Sequence, residues 1–231
     1  MKIKQIINID YWYLIWAVCL SAIGLLFLMD HSIRMWLFTV DDSFITFRYS
    51  KNLSERMALT YNPAGEPVEG YTSFLWVLIM SLPHFIHFGV LSFSKVLGIL
   101  SMIGTMFWMV FFLWHIDPSF EKKIRLFSIG IVSLFWGFLP ETAVHAISGM
   151  ETATYTFLFT GFVVLSCLSI TFQESLSKFL PLMALLCGLM RPESNLVSIL
   201  FLGIVIFQNG VNKRLIRNTL LYYFLPGLLY L

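Results

Sequence analysis

The chain has 231 residues, of which 58% are hydrophobic and only 12% are charged, with a net charge of +2. A soluble domain carries roughly 25% charged residues, so this chain has too little charge to cover a water-facing surface. The few charges are scattered, which argues against a nucleic-acid-binding surface. Its three cysteines lie in separate apolar runs and indicate neither a disulfide framework nor a metal site. The composition predicts an integral membrane protein.

The apolar runs predict a polytopic bundle of transmembrane helices, because a spanning helix needs around 20 apolar residues. The first run, 11–29, is longer than a signal-peptide core and is expected to remain as a helix. The later candidate segments are 73–89, 94–115, 126–140, 152–172, 178–190, 194–208 and 219–231. Several of them are shorter than a full span and are expected to tilt, break or only dip into the membrane. We expect one transmembrane domain over 1–231, forming the N-terminal portion of a longer protein.

Three basic clusters predict the orientation, since cytoplasmic loops are enriched in lysine and arginine. The clusters are Lys2 with Lys4, then Lys122, Lys123 and Arg125, then Lys213, Arg214 and Arg217. If all three lie inside and 73–89 is re-entrant, a first outer loop of about 30–72 shares the outer face with 140–152 and 190–194. If 73–89 instead spans fully, the second basic cluster falls outside and 140–152 falls inside.

Two adjacent acids, Asp41 and Asp42, open a short predicted helix in the first outer loop. The free N–H groups of a first helical turn favour a carboxylate there. Phe44 and Phe47 lie on another face and are expected at the lipid interface. The pair either caps an ordinary surface helix, or one carboxylate is a base toward an acceptor hydroxyl while the other holds acceptor hydroxyls or a divalent cation. Arg48 either pairs with one of these acids or contacts a phosphate.

Arg191 lies between two short apolar segments, at a depth where a charge is costly and is normally paired or functional. Pro192 ends the preceding helix. Two alternatives remain open for Arg191. It holds the phosphate of a lipid carrier with paired N–H donors, or it forms a structural ion pair with Glu193, Glu141 or Glu151. Glu193 is also placed to cap the following helix.

Four further polar residues flank apolar runs. Glu151 begins a helix and either caps it or lines a sugar site. Glu69, Tyr71 and Thr72 precede the run that starts the second apolar segment. They either supply hydroxyl partners and an aromatic face to a sugar or anchor a helix at the interface, where tyrosine is enriched. The histidines are too dispersed for a metal site, so no metal ligand is predicted.

Five short motifs follow one another along nearly the whole chain. They are Asp-Asp-Ser-Phe-Ile-Thr-Phe-Arg-Tyr at 41–49, Tyr-Asn-Pro at 61–63, Val-Glu-Gly-Tyr-Thr-Ser-Phe-Leu-Trp at 68–76, Ser-Gly-Met-Glu-Thr at 148–152 and Arg-Pro-Glu at 191–193. The ordered set resembles the GT-C-fold glycosyltransferases, and most closely the branch containing the cell-wall arabinofuranosyltransferases. The protein O-mannosyltransferases and the lipid A aminoarabinose transferase are similar at a greater distance.

This resemblance implies an all-α, GT-C-like transmembrane helix bundle with juxtamembrane helices in the first outer loop. It implies an inverting transferase in a bacterial plasma membrane, with its active site on the outer side. The donor would be a polyprenyl-phosphate sugar, and the acceptor a hydroxyl of a glycan, lipid or protein. The presumed catalytic base, an Asp of the first outer loop, corresponds to Asp41 or Asp42. The candidate donor- and acceptor-binding residues are Arg48, Glu69, Tyr71, Thr72, Glu151, Arg191 and Glu193. A divalent cation remains an open alternative.

Two other functions compete with this interpretation. A transporter places ionisable groups near the bilayer midplane, often beside broken helices and between repeated halves. Here the acids gather in predicted outer loops and no internal repeat is evident, which counts against transport. The third hypothesis is a truncated, non-catalytic membrane scaffold.

Overall fold

The computed structural model describes residues 2–62, 68, 70–115, 120–172, 177–208 and 213–230. Every regular element within these ranges is helical, which confirms the predicted all-α fold class. The helices are α1 (Lys2–Arg34), α2 (Ser43–Arg56), α3 (Phe74–Phe85), α4 (Val90–His115), α5 (Lys122–Phe138), α6 (Pro140–Ile147), α7 (Thr152–Phe172), α8 (Leu180–Met190), α9 (Ser194–Gln208), α10 (Lys213–Thr219) and α11 (Leu225–Tyr230). A 3₁₀ turn (Ser177–Phe179) precedes α8, and a π-helical turn (Leu220–Phe224) joins α10 to α11.

Within the described ranges, three helices are long and apolar enough to cross a membrane. They are α1 over Tyr11–Arg34, the whole of α4, and α7 over Thr152–Ile170. Helices α5 and α6 together form a fourth candidate span, bent by 59° where they meet. Pro140 begins α6, and because proline has no N–H to continue the preceding hydrogen-bond ladder, the helix breaks and restarts there. The candidate segment 126–140 therefore lies largely in α5, and the break falls at its end.

Helices α3, α8 and α9 are apolar but short. At 1.5 Å per residue, the 12 residues of α3 extend about 18 Å, well below the ~30 Å hydrocarbon thickness. The helix includes Pro83 and ends at Phe85. Of the two alternatives for 73–89, this length favours the re-entrant one.

Small residues bring α1 and α5 into close contact. A Cβ added at Gly137 would overlap the carbonyl of Gly24, and one added at Gly24 would overlap the carbonyl of Ser133. A Cβ added at Gly130 would lie 3.2 Å from the Cα of Ala17. In lipid, helices associate through such close packing, because the surrounding hydrocarbon is as apolar as their side chains. The three glycines therefore allow the backbones of α1 and α5 to approach closely.

Helix α4 packs against α3, α5, α6 and α7. Gly98 lets it approach α6 so closely that an added Cβ would overlap the carbonyl of Ala146. The hydroxyl groups of Ser101 and Thr154 lie 3.0 Å apart and link α4 to α7. These contacts place α4 between the α1–α5 pair and the later helices.

Polar segments of the chain meet at one end of the bundle. The backbone N–H of Val40, between α1 and α2, donates to the carbonyl of Ser148, between α6 and α7, at 2.9 Å. The guanidinium of Arg191, between α8 and α9, lies 2.8 Å from Glu151. The segments 30–72, 140–152 and 190–194 therefore lie together at this end of the bundle.

Candidate active site

Asp41 and Asp42 immediately precede α2, as predicted. Their carbonyl groups accept hydrogen bonds from Phe44 N at 3.0 Å and Ile45 N at 3.1 Å, so both residues belong to an ordered turn. Asp42 occupies the N-cap position, but its side chain makes no capping hydrogen bond. Both side chains are exposed, and neither carboxylate pairs with any residue that the structure describes. Two unengaged carboxylates thus lie on a fixed backbone.

This turn is attached to the loop between α6 and α7. The hydroxyl of Ser43 donates to the carbonyl of Val40 at 2.6 Å, next to the Val40–Ser148 hydrogen bond. Gly149 adopts φ +83°, and a Cβ added there would lie 3.0 Å from the Cβ of Ser43. The indole N–H of Trp76 donates to the carbonyl of Gly149 at 3.2 Å. The start of α2, the α6–α7 loop and α3 therefore form one packed unit.

The phenylalanines of α2 differ from the prediction in part. Phe44 is exposed, as expected for a residue at a lipid interface. Phe47 is buried in a cluster with Trp76, Met80 and Met190, so its predicted place at the lipid interface is wrong. The reason is the α2–α3 contact, which covers this face of α2 with apolar side chains.

The ion pair between Arg191 and Glu151 is the most buried pair of opposite charges in the described part of the chain. The Nε and Nη2 atoms of Arg191 donate to Oε1 of Glu151 at 3.1 and 2.8 Å, and Nη2 lies 3.2 Å from the hydroxyl of Thr152. The guanidinium also lies 5.2 Å from the ring centroid of Tyr155. The Glu151 side chain is 7% exposed and that of Arg191 is 32% exposed. Of the partners considered for Arg191, the structure selects Glu151.

The outer side of the arginine faces Glu193. Its Nη1 atom lies 3.8 Å from Oε1 of Glu193, whose side chain is 67% exposed. An exposed pair at this distance contributes little to stability. Nη1 is therefore the part of the guanidinium most easily given to another anion.

Arg48 pairs with neither Asp41 nor Asp42. Its Nε donates to the carbonyl of Tyr61 at 2.9 Å, and its Nη2 lies 3.4 Å from Oδ1 of Asn62. The guanidinium also lies 4.9 Å from the ring centroid of Tyr61. Arg48 therefore ties α2 to the segment that follows it, and the alternative in which it pairs with one of the acids is not found.

Tyr71 and Thr72 line a cavity of ≈ 670 Å³. The cavity is otherwise formed by α8, α9, the π-helical turn and α11, and its lining is largely apolar. Its other lining residues are Leu185, Gly188, Leu189, Pro192, Asn195, Ile199, Tyr223, Phe224, Gly227 and Leu228. Pro192, which lines the cavity, follows Arg191 directly in the chain. Glu69, the remaining predicted residue of this group, lies outside the described residues.

Sequence reasoning missed the structural role of three side chains near the site. The Tyr49 hydroxyl donates to the carbonyl of Val68 at 2.6 Å and accepts from the N–H of Gly70 at 3.0 Å. The Asn52 amide donates to the carbonyl of Thr60 at 2.6 Å. Lys95 is buried below the linker between α1 and α2. Lys95 did carry a signal, since it is a basic residue inside an apolar run.

No group of three or more His, Cys, Asp or Glu side chains within the described ranges is arranged to hold a metal ion. Asp41 and Asp42 could supply two carboxylates to a cation. Adjacent residues on a helix diverge by about 100°, so these two carboxylates do not naturally converge on one ion. A cation held there would need oxygen ligands from elsewhere.

The number and length of the apolar helices define a multi-pass integral membrane protein. No family model matches the chain, and no curated protein or solved structure gives a significant match. The candidate site is therefore interpreted from its own geometry.

Proposed function

We propose that the protein is an inverting glycosyltransferase that moves a sugar from a polyprenyl-phosphate carrier to an acceptor hydroxyl at the outer face of the membrane. The observation that carries the proposal is the attachment of the acidic turn to the loop that bears Glu151. Through that loop, two free carboxylates and a partly buried arginine are held at the same end of the bundle. The GT-C-like motifs at 41–49, 148–152 and 191–193 lie in these segments.

Asp41 and Asp42 are the candidates for the catalytic base. In the proposed reaction the acceptor oxygen attacks the anomeric carbon, one Asp carboxylate takes the hydroxyl proton, and the bond from the anomeric carbon to the phosphate oxygen breaks. A general base must be free to accept a proton and must lie within hydrogen-bond reach of the acceptor. Both carboxylates are exposed and unengaged among the described residues, while their backbone is fixed by hydrogen bonds.

Arg191 is the candidate for holding the departing phosphate. A guanidinium presents planar, paired N–H donors that match phosphate oxygens, and its charge persists at any physiological pH. Glu151 fixes the inner edge of this guanidinium, and Nη1 faces outward to the exposed Glu193. A phosphate would displace only the weak contact with Glu193. The negative charge that develops on the leaving phosphate would then be stabilised by Arg191.

The cavity beside Pro192 suits the apolar chain of such a carrier. Its volume of ≈ 670 Å³ and its lining of leucine, isoleucine and aromatic side chains are compatible with an isoprenoid segment. Thr72 and Tyr71 line it and, with Asn195 and Tyr223, provide the polar groups of a largely apolar wall. Thr72 and Tyr71 are the candidates for contacts with the sugar.

The experiment is a transfer assay in membranes that contain the protein, supplied with radiolabelled polyprenyl-phosphate sugars. Asp41→Asn and Asp42→Asn are each compared with the native chain at equal expression. The variant that removes the base is expected to lose about 100-fold or more in transfer rate. Loss from neither variant would contradict the base assignment.

Glu55→Gln is the matched control. Glu55 is an exposed carboxylate on the same helix, 3.9 Å from Lys51 and within four residues of it. Its neutralisation should leave transfer unchanged, because it lies at the opposite end of α2 from the acidic pair. Substrate flux across vesicles that is unaffected by either aspartate variant would instead favour a transporter, and no signal with any donor would favour a scaffold.

A further inference from the structure

A lysine side chain is buried below the linker that carries the acidic pair. Lys95 lies in the second turn of α4, with 2% of its surface exposed. Its Nζ donates to the carbonyl oxygens of Trp36 and Phe38, the latter at 2.8 Å. It also lies 5.5 Å from the ring centroid of Trp36. It forms no ion pair with any carboxylate in the described ranges.

Packing alone does not explain a lysine at this position. A buried ammonium group without a counterion is costly, and charges inside apolar helices are normally paired or functional. A methionine would fill similar space without that cost. What methionine lacks is the set of N–H donors that Lys95 gives to the carbonyl groups of Trp36 and Phe38. Lys95 thus gives the linker hydrogen bonds that no apolar residue could supply.

The linker transmits this contact directly to the acids. Only two residues separate Phe38 from Asp41. The second of them, Val40, is held by the carbonyl of Ser148 from the neighbouring loop. Lys95 thus holds the linker from α4 and Ser148 holds it from the α6–α7 loop, in addition to the linker's own turn bond from Phe38 N to Met35 O and the packing of Trp36 on an apolar cluster. Without Lys95, the carbonyl groups of Trp36 and Phe38 lose their side-chain partner, and we expect the linker to become more mobile.

We propose that Lys95 is the positioning residue of the acidic pair, and that it acts by holding the carbonyl groups of Trp36 and Phe38. Its effect on catalysis rests on the proposed transferase function, whereas its effect on the linker does not. Lys95 itself touches neither donor nor acceptor. The contribution is geometric, because a base displaced by about 1 Å can lose on the order of 100-fold in rate.

The first test measures the linker without using activity. Spin labels are placed at Leu37→Cys, which is 95% exposed in the linker, and at Met57→Cys, which is 82% exposed beyond α2. The native cysteines are replaced by alanine. Pulsed electron paramagnetic resonance should give a narrow distance distribution for this parent and a broadened or shifted one when Lys95→Met is added.

The matched control is Lys51→Met, which removes an exposed lysine from α2. It should leave the distribution as narrow as in the parent. An unchanged distribution in Lys95→Met would overturn the proposal, whatever the activity. If Lys95→Met is not monodisperse in detergent, Lys95→Gln replaces it; its shorter amide should reach only part of the carbonyl pair and give partial broadening, and no broadening would again overturn the proposal.

The second test separates catalysis from binding. In the transfer assay, Lys95→Met should lower kcat about 100-fold while KM for the donor stays within about twofold, because Arg191 is untouched. A broadened distance distribution together with a native kcat would overturn the catalytic role of Lys95. If Lys95→Met broadens the distance distribution but the native protein transfers no sugar, the proposed function is refuted. The role of Lys95 in fixing the linker would still be supported.

Discussion

Arg191 directs two donors, Nε and Nη2, at the same oxygen of Glu151, at 3.1 and 2.8 Å. Glu151 is nearly inaccessible, and about a third of the Arg191 side chain is exposed. A charge pair of this kind is costly to remove from water, so breaking it from one side is much worse than replacing it entirely. The stability of the loops around it should depend on both partners being present.

Glu151→Gln is therefore expected to destabilise the protein. It leaves the partly buried guanidinium of Arg191 with only its long, exposed contact to Glu193, which should cost about 3 kcal/mol. For a chain of this size the thermal unfolding temperature in detergent should fall by roughly 5–10 °C. The measurement is a fluorescence-detected thermal shift of the purified protein.

The double variant Glu151→Leu/Arg191→Leu tests whether the loss in Glu151→Gln comes from the uncompensated charge of Arg191. Because it removes both charges together, it should recover more than half of the stability lost in Glu151→Gln. Glu193→Gln is the control, since its contact with Arg191 is long and exposed. An equal loss from Glu193→Gln and Glu151→Gln would show that the buried pair has no special role.

Gly137→Val tests the close packing of α1 against α5. A side chain at Gly137 would overlap the carbonyl of Gly24, and backbone cannot move aside as a flexible side chain can. The substitution should cost at least about 1–3 kcal/mol and reduce the yield of monodisperse protein. Gly203→Val is the matched control, because a Cβ at Gly203 meets nothing within 4 Å. Equal tolerance of both substitutions would contradict the α1–α5 contact.

Tyr49→Phe tests the attachment of the segment that leads into α3. The hydroxyl of Tyr49 bonds both Val68 and Gly70, so its loss leaves one acceptor and one donor without this partner. The amide of Gly70 should exchange with deuterium about 10-fold faster, corresponding to about 1.4 kcal/mol of lost protection. Tyr61→Phe, at an exposed ring, should not change this rate, and an unchanged rate in Tyr49→Phe would refute the role of its hydroxyl.

His84 is expected to make the α2–α3 contact sensitive to acid. Its Nε2 lies 3.3 Å from the hydroxyl of Ser50, and burial is the main cause that lowers the pKa of His84 below its ordinary value of 6.5. Nearby Glu55 opposes this pKa shift and Lys51 adds to it. A group with a lowered pKa in the folded state contributes stability that is complete above 6.5 and is lost as pH falls through the folded pKa.

The measurement is a titration of the His84 ring signals by nuclear magnetic resonance, together with hydrogen exchange in α2 at pH 7.5 and pH 5. After correction for the intrinsic base-catalysed exchange rate, the protection factors of the α2 amides should be lower at pH 5 than at pH 7.5 in the native chain. His84→Asn should remove most of this pH dependence, because asparagine does not titrate. A His84 pKa at or above 6.5 would contradict the burial seen at the α2–α3 contact.

The helices were largely predictable, because long apolar runs admit few alternatives. The run 94–115 lies within α4, and the run 152–172 coincides with α7. The acidic pair directly precedes α2, as predicted. The bend before Pro140 was not predicted, although proline marks the position. A run of apolar residues indicates a membrane segment but carries little information on whether the helix stays straight.

The partners of polar side chains were less predictable, because they depend on contacts between distant parts of the chain. Glu151 was one of three acids considered for Arg191, and only the packing of α7 against α8 selects it. Arg48 could not be assigned either, since its acceptor is a backbone carbonyl at Tyr61 that the sequence does not reveal. Lys95 likewise donates to backbone carbonyl groups. Every residue type carries a backbone carbonyl, so the sequence does not indicate which ones Lys95 contacts.

The left-handed backbone at Gly149 makes this position intolerant of any side chain. An added methyl group would be strained by φ +83° and would also press on Ser43 at the start of α2. The packing of the α6–α7 loop against the start of α2 therefore leaves no room for a side chain at this position. We therefore expect related chains to differ mainly at lipid-facing positions of the helices and to keep glycine at position 149.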